Sequence, residues 1–120
     1  YVHLFLLCAK RNGADNSYTA CPRRSWWSIG LKAPAPIICT YMARRSPAFV
    51  RNLCEARHIN IAHGLYPRDP MTASQLDLLA GWLRKNVSVE SGRTYAGGLT
   101  KFEPKEIERI AVPRLENMPI

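Results

Sequence analysis

The first half of this chain is nearly without acid. Residues 1–57 hold nine Lys and Arg against two carboxylates, Asp15 and Glu55, while residues 58–120 hold eight against seven. The formal net charge is +8 and the pI about 9.7. A one-sided basic half fits a polyanionic partner, nucleic acid first and an anionic membrane surface second. Long apolar runs are missing too. The run Val2–Ala9, broken only by His3, is far shorter than the roughly 20 residues a membrane helix needs. Its cations, Lys10 and Arg11, follow the run, whereas a signal peptide places them before it. The chain is therefore read as cytoplasmic, with no membrane partner. Cys8, Cys21, Cys39 and Cys54 include no close pair, which excludes a zinc-finger spacing. They are read as reduced, mostly buried thiols.

Catalytic patterns are equally scarce. Ser25, Ser46 and Ser91 have no nucleophile elbow around them. Gly97-Gly98 lacks the further glycines and the Lys-Ser/Thr pair of a P-loop, and the spacing of a dinucleotide fingerprint. His58 and His63 do not match a helical metal pair and are read as satisfied polar histidines. Glu103, Glu106 and Glu108 are read as a solvated helix face. No catalytic or metal site is expected, and no cofactor.

What remains is the composition of one small α+β domain over residues 1–120. Val2–Ala9 suits a buried strand or a short buried helix; periodicity does not decide. Ala33-Pro-Ala-Pro36 is a stiff extended spacer. Ile37–Met42 and Ala48–Asn52 form a hairpin across the basic turn at Arg44-Arg45, bringing Arg44, Arg45 and Arg51 together. His58–His63 alternates as a third strand, with Ile59 and Ile61 on one face. The fold expected is thus a small antiparallel sheet, a hairpin around 37–52 plus strand 58–63. One main helix, about 73–85, packs with it, and a short helix at about 104–110 follows. Thr72 or Ser74 caps the first, and Leu76, Leu79, Ala80 and Leu83 recur at helical spacing. Pro104 opens the second.

Three features suit a polyanion. Arg23 and Arg24 precede Trp26 and Trp27, where aromatic faces beside guanidinium groups can stack on bases; core packing of the rings is the competing reading. Arg44, Arg45 and Arg51 are the second. Gly97 and Gly98, flanked by Arg93, Tyr95 and Lys101, are the third: glycine lets another backbone approach, although a plain turn explains the pair equally. Arg51 can also simply pair with Glu55, and Asn60 can simply close a turn.

Several patches, in order, resemble one family. They are Trp26-Trp27 after the basic pair, Thr40-Tyr41-Met42 with Pro47-Ala-Phe-Val-Arg51-Asn52, and Asn60 followed by Tyr66-Pro67-Arg68. Arg93-Thr-Tyr-Ala-Gly-Gly-Leu-Thr-Lys101 comes last, running on through Pro104 to Pro113. The set is similar to the C-terminal region of adenine-N6 DNA methyltransferases of bacterial restriction–modification type. It covers about residues 15–115, with residues 1–14 outside. The resemblance implies a target-recognition module that holds duplex DNA. S-adenosylmethionine is the cofactor implied for a full-length relative, but its glycine motif and the family's Asn/Asp-Pro-Pro-Tyr/Phe motif are both missing here. On that reading Arg23, Arg24, Trp26, Arg44, Arg45, Arg51 and Lys101 contact the DNA backbone. Asn52 and Asn60 suit base edges, and Arg93, Tyr95, Gly97 and Gly98 bring a loop against the duplex. The alternative is a protein-interaction module that docks an acidic partner, a separate catalytic subunit or a second copy of itself as a homodimer.

Overall fold

A computed structural model describes residues 1–118. It divides into two compact units, Tyr1–Leu31 and the chain from Lys32 onward. The first unit holds helix α1 (Val2–Arg11) and a single 3-10 turn at Ala14–Asn16. Gly13 takes a φ of 77° between them, in the left-handed region that glycine enters without cost. The run 2–9 is thus a helix. Contrary to the buried element expected from its composition, none of its residues is buried.

In the second unit the order is β1 (Ile37–Thr40), β2 (Met42–Ala43), β3 (Phe49–Arg51), β4 (Ala62–Leu65), α2 (Ala73–Asn86), β5 (Arg93–Tyr95), β6 (Leu99–Lys101) and α3 (Pro104–Glu108). The strands form two antiparallel three-stranded sheets, β3-β1-β4 and β2-β6-β5. The expected α+β class and the β1–β3 pairing are both present. A second sheet was not foreseen. The apolar run 37–42 is split at Tyr41, and its last residues pair with β6 rather than continuing β1.

Period-two burial makes the first sheet work. Ile37 and Cys39 of β1 are fully buried, whereas Ile38 and Thr40 are only partly so. The inward pair joins Phe49, Ala80, Leu83 and Val87 in one core, bordered by Leu65, Leu76, Leu79, Trp82, Ile107 and Ile110. Complete burial of side chains such as Ile37 and Phe49 stabilises by roughly 2–3 kcal/mol each. Trp82, off the main stripe of its helix, is accounted for as a border residue of this core. Helix α2 covers that face because Thr72 starts it firmly. The Thr72 hydroxyl accepts from the Gln75 amide (3.3 Å), and the Gln75 side-chain oxygen accepts from the Thr72 amide (2.8 Å). This reciprocal box satisfies two otherwise orphaned donors.

The third strand sits later than the alternation of Ile59 and Ile61 suggests. The chain is still turning there, with the Ala62 amide bonded to the Ile59 carbonyl, and both isoleucines are exposed. The ladder with β1 begins only at Ala62 and runs through Gly64, which pairs with Ile38. A Cβ on Gly64 would lie 2.6 Å from the Ala35 Cβ and would also strike His58. The bare glycine therefore makes room for residues 32–36 to cross the outer face of the sheet.

Those residues are a pinned strap rather than a spacer. Arg57 donates to the Lys32 carbonyl (2.7 Å), Tyr66 to Ala33 (2.7 Å), and Asn52 to Ala35 (2.8 Å). The Pro36 carbonyl accepts from both Arg51 (3.0 Å) and the Asn52 amide (3.0 Å). A proline-rich segment has few backbone donors to offer a ladder, so side chains supply the bonds its carbonyls need.

Candidate nucleic-acid interface

The second sheet sorts the expected basic residues into two groups. Met42 pairs with Lys101 and Ala43 with Thr100, while Arg93, Thr94 and Tyr95 pair with Lys101, Thr100 and Leu99. Strand β2 therefore runs toward the end of the sheet where β5 turns into β6. The chain leaves β2 there as Arg44 and Arg45, both exposed, and neither forms an ion pair among the described residues. At the same end lies the tip Ala96-Gly97-Gly98. Gly97 and Gly98 take φ values of 83° and 71°, and the Gly98 amide closes the turn on the Tyr95 carbonyl (3.2 Å). A Cβ at either glycine would meet nothing within 4 Å. Tyr95, half exposed beside the tip, completes a small open surface of two free cations, one aromatic ring and bare backbone.

Arg93 and Lys101 lie at the other end, and they are not free. Arg93 pairs with Glu106 (3.3 Å), and Lys101 pairs with Glu103 (2.5 Å) while its ammonium sits 5.0 Å from the centre of the Tyr41 ring. The bond to Glu103, and after it the one to Tyr41, holds the Lys101 ammonium well above the usual lysine range. The expectation that these two cations flank the glycines as open charge is not met. Nor are the glutamates a solvated face: Glu103 and Glu106 are the partners, and the second Glu106 oxygen is buried without a hydrogen bond among the described residues.

The expected cluster of three arginines is also divided. Arg51 pairs in register with Ile37, at the far end of β3 from the Arg44-Arg45 turn. It bonds Asp77 of α2 at 2.7 Å rather than Glu55. Asn52 is likewise committed. Its amide group donates to the Ala35 and Ala56 carbonyls (2.8 and 2.9 Å), and its oxygen accepts from the Ala56 amide (2.9 Å). Asn60 is exposed in the turn before β4. In the first unit Arg23 and Arg24 are exposed, and Trp26 meets Trp27 edge to face with ring centres 5.8 Å apart.

Several important residues carried no sequence signal. Asp77, Glu103 and Glu106 look like ordinary surface acids, yet each captures a cation expected to be free. Tyr41 contacts Lys101 on one side and stands edge-on to His63, ring centres 5.0 Å apart, on the other. His63 Nε2 is buried without a hydrogen-bond partner among the described residues, so the satisfied histidine expected there is not found. The cysteines also differ from expectation: all four are free, but only Cys39 is buried. Burial pushes its thiol up to about 11, against a smaller opposing hydrogen bond from the His63 backbone. Among the described residues no group of three or more His, Cys, Asp or Glu is placed to hold a metal ion. No helix among them is long and apolar enough to cross a membrane.

The two three-stranded sheets and three helices describe a small α+β fold. Comparison supplies the rest: the chain belongs to the C-terminal domain family of the Type II methyltransferase M.Eco57I, whose model matches residues 2–119. It is 68% identical over 114 residues to the Type II methyltransferase M.XamI of Xanthomonas campestris pv. amaranthicola, covering 95% of this chain and 22% of that protein. It is 26% identical over 100 residues to the Type II methyltransferase M.AccI of Acinetobacter calcoaceticus, covering 79% of this chain and 18% of that protein. The chain thus spans about a fifth of the length of these relatives. No solved structure matches it. The methyltransferase resemblance read from the ordered patches is therefore upheld, and the match takes in residues 2–14 as well.

Proposed function

We propose that this chain is the DNA-holding, target-recognition part of a Type II adenine methyltransferase, with the methyl-donor and catalytic machinery elsewhere in the parent protein. One observation carries the reading: the register of the second sheet sets unpaired Arg44 and Arg45 at the same end as Tyr95 and the Gly97-Gly98 tip. Free guanidinium groups bind phosphates and release counterions. Bare glycine backbone admits a close strand, and an aromatic ring adds a stacking face. Arg23, Arg24 and Trp26 give the first unit DNA contacts of its own, and in the second unit Asn60 is an exposed amide suited to a base edge. Arg51, Asn52, Arg93 and Lys101 act as positioning residues, since their polar groups hold the strap, α2, Glu106 and Glu103.

The family supports the polyanion reading over a generic basic surface, because a Type II methyltransferase must hold its DNA. S-adenosylmethionine belongs to the full-length protein on this reading, and no residue of this chain is assigned to it.

The test is a salt titration of duplex binding by fluorescence anisotropy. Binding should weaken steeply with salt, and Arg44→Ala or Arg45→Ala should each lower the log–log slope by about 0.9. Absence of binding at low salt, or a slope unchanged in both variants, overturns the reading.

A further inference from the structure

Helix α1 is apolar on nearly every side. Val2, Leu4, Phe5, Leu6, Leu7, Cys8 and Ala9 occupy seven of its first eight positions, with only His3 among them. Successive residues of a helix advance by about 100°, so these side chains point all round the axis. A helix of that kind belongs inside something. Within its own unit it is inside nothing. Val2, Leu4 and Phe5 remain 74%, 67% and 71% exposed, and no residue of α1 is buried.

No helix among the described residues is long and apolar enough to cross a membrane, and a membrane surface can be set aside on physical grounds. A helix lying on a membrane surface needs a charged face opposite its apolar one. Here the charges, Lys10 and Arg11, come only at the C-terminal end. The remaining cover is protein. The relatives have such protein to offer, because the matched stretch is 22% of one and 18% of the other. The family match begins at residue 2, so the helix lies within what the family model describes.

We infer that α1 is the docking helix of this domain. It inserts, through Leu4 and Phe5, into an apolar surface on the part of the methyltransferase that lies outside the C-terminal domain. The inference rests on family membership and helix composition and is independent of the DNA reading.

The experiment uses a chimera in which this chain replaces the matched stretch of the Xanthomonas methyltransferase, beside the 120-residue chain alone. A photo-cross-linking amino acid, p-benzoylphenylalanine, replaces Leu4 in the chimera, and mass spectrometry maps its products. Cross-links within one polypeptide to residues outside the graft are expected. Cross-links to a second copy, to residues 1–120 only, or none at all, overturn the inference. A second measurement covers the case of poor cross-linking: Leu4→Asp with Phe5→Asp. The pair should leave the urea midpoint of the 120-residue chain unchanged and lower that of the chimera. An equal change in both, or none in the chimera, also overturns it. A salt slope unchanged in both Arg44→Ala and Arg45→Ala would sink the DNA reading and leave this inference standing.

Discussion

Arg51 of β3 and Asp77 of α2 join at 2.7 Å, and the arginine's second nitrogen holds the Pro36 carbonyl at 3.0 Å. One guanidinium thereby ties together an edge strand, the main helix and the proline strap. The arginine side chain is 15% exposed and the aspartate 61%, so the pair is worth more than a fully solvated one but is still partly screened. Arg51→Ala should cost about 1–3 kcal/mol in urea unfolding, the range for bonds to charged groups. Arg51→Lys should recover little of it, because an ammonium cannot reproduce the two-pronged geometry. The log–log salt slope of DNA binding by folded Arg51→Ala should match that of the parent chain. A slope lower by about 0.9 would put Arg51 on a phosphate after all.

Gly64 makes the second prediction. Its backbone is ordinary, so the constraint is space: Ala35 and Tyr66 would lie 2.6 and 2.9 Å from a new Cβ, with His58 closer still. Ala35 is itself buried, its carbonyl is held by Asn52, and it cannot swing aside. Gly64→Ala should therefore destabilise by about 1–3 kcal/mol, the usual cost of overpacking. Hydrogen exchange should show faster opening of residues 32–36 in particular. A variant as stable as the parent chain would mean that the strap lies more loosely on the sheet.

The hairpin tip behaves oppositely. Gly97 and Gly98 have open space around them, and only their positive φ values resist a side chain. Gly98→Ala should cost about 1–2 kcal/mol through the left-handed backbone alone. If DNA approaches this backbone, the variant should also bind duplex more weakly under conditions where it is fully folded. Anisotropy at low temperature separates the two effects. Unchanged affinity in the folded variant would remove the tip from the interface.

How far the sequence could be read depended on how local each determinant was. Helix 73–86 was plain because its signals sit within one turn of each other: Thr72 and Gln75 at the start, leucines at helical spacing beyond. The strand at 37–40 was plain for the same reason. The second sheet was hidden because β2 is two residues long and finds its partner nearly sixty positions later; nothing local marks it. Ile59 and Ile61 misled because alternation is satisfied equally by an exposed turn. At the site, Arg44, Arg45 and the glycine tip could be named in advance, but not their shared end of one sheet. Arg51, Arg93 and Lys101 were read as free because Asp77, Glu106 and Glu103 are distant or unremarkable in sequence and close only in the fold.

Thr72 tests the legible part directly. Thr72→Ala removes the hydroxyl that accepts from the Gln75 amide and breaks the reciprocal box. A loss of about 1 kcal/mol is expected. Thr72→Ser should restore most of it, since the cap needs only the oxygen. Equal stability of the Ala and parent chains in urea would show that packing alone sets the start of α2.

Cys39 gives a pH dependence whose sign follows from burial. Its thiol is pushed from 9.0 up to about 11 in the folded chain because the thiolate would be stranded in the core beside Ile37 and Phe49. The folded state therefore holds its proton more tightly than the unfolded state does. The corresponding stability is fully present below pH 9 and is lost as pH rises from about 9 toward 11, by about 2–3 kcal/mol in total. Urea midpoints measured at pH 8, 9.5 and 10.5 should fall in that order. Cys39→Ala should be less stable than the parent chain at pH 8, through the lost sulfur contacts, and should fall less steeply with pH. Alkylation gives an independent check: at pH 8 Cys8, Cys21 and Cys54, all exposed, should react readily while Cys39 waits for unfolding. Parallel pH curves for the two chains would show that the alkaline loss arises at other groups.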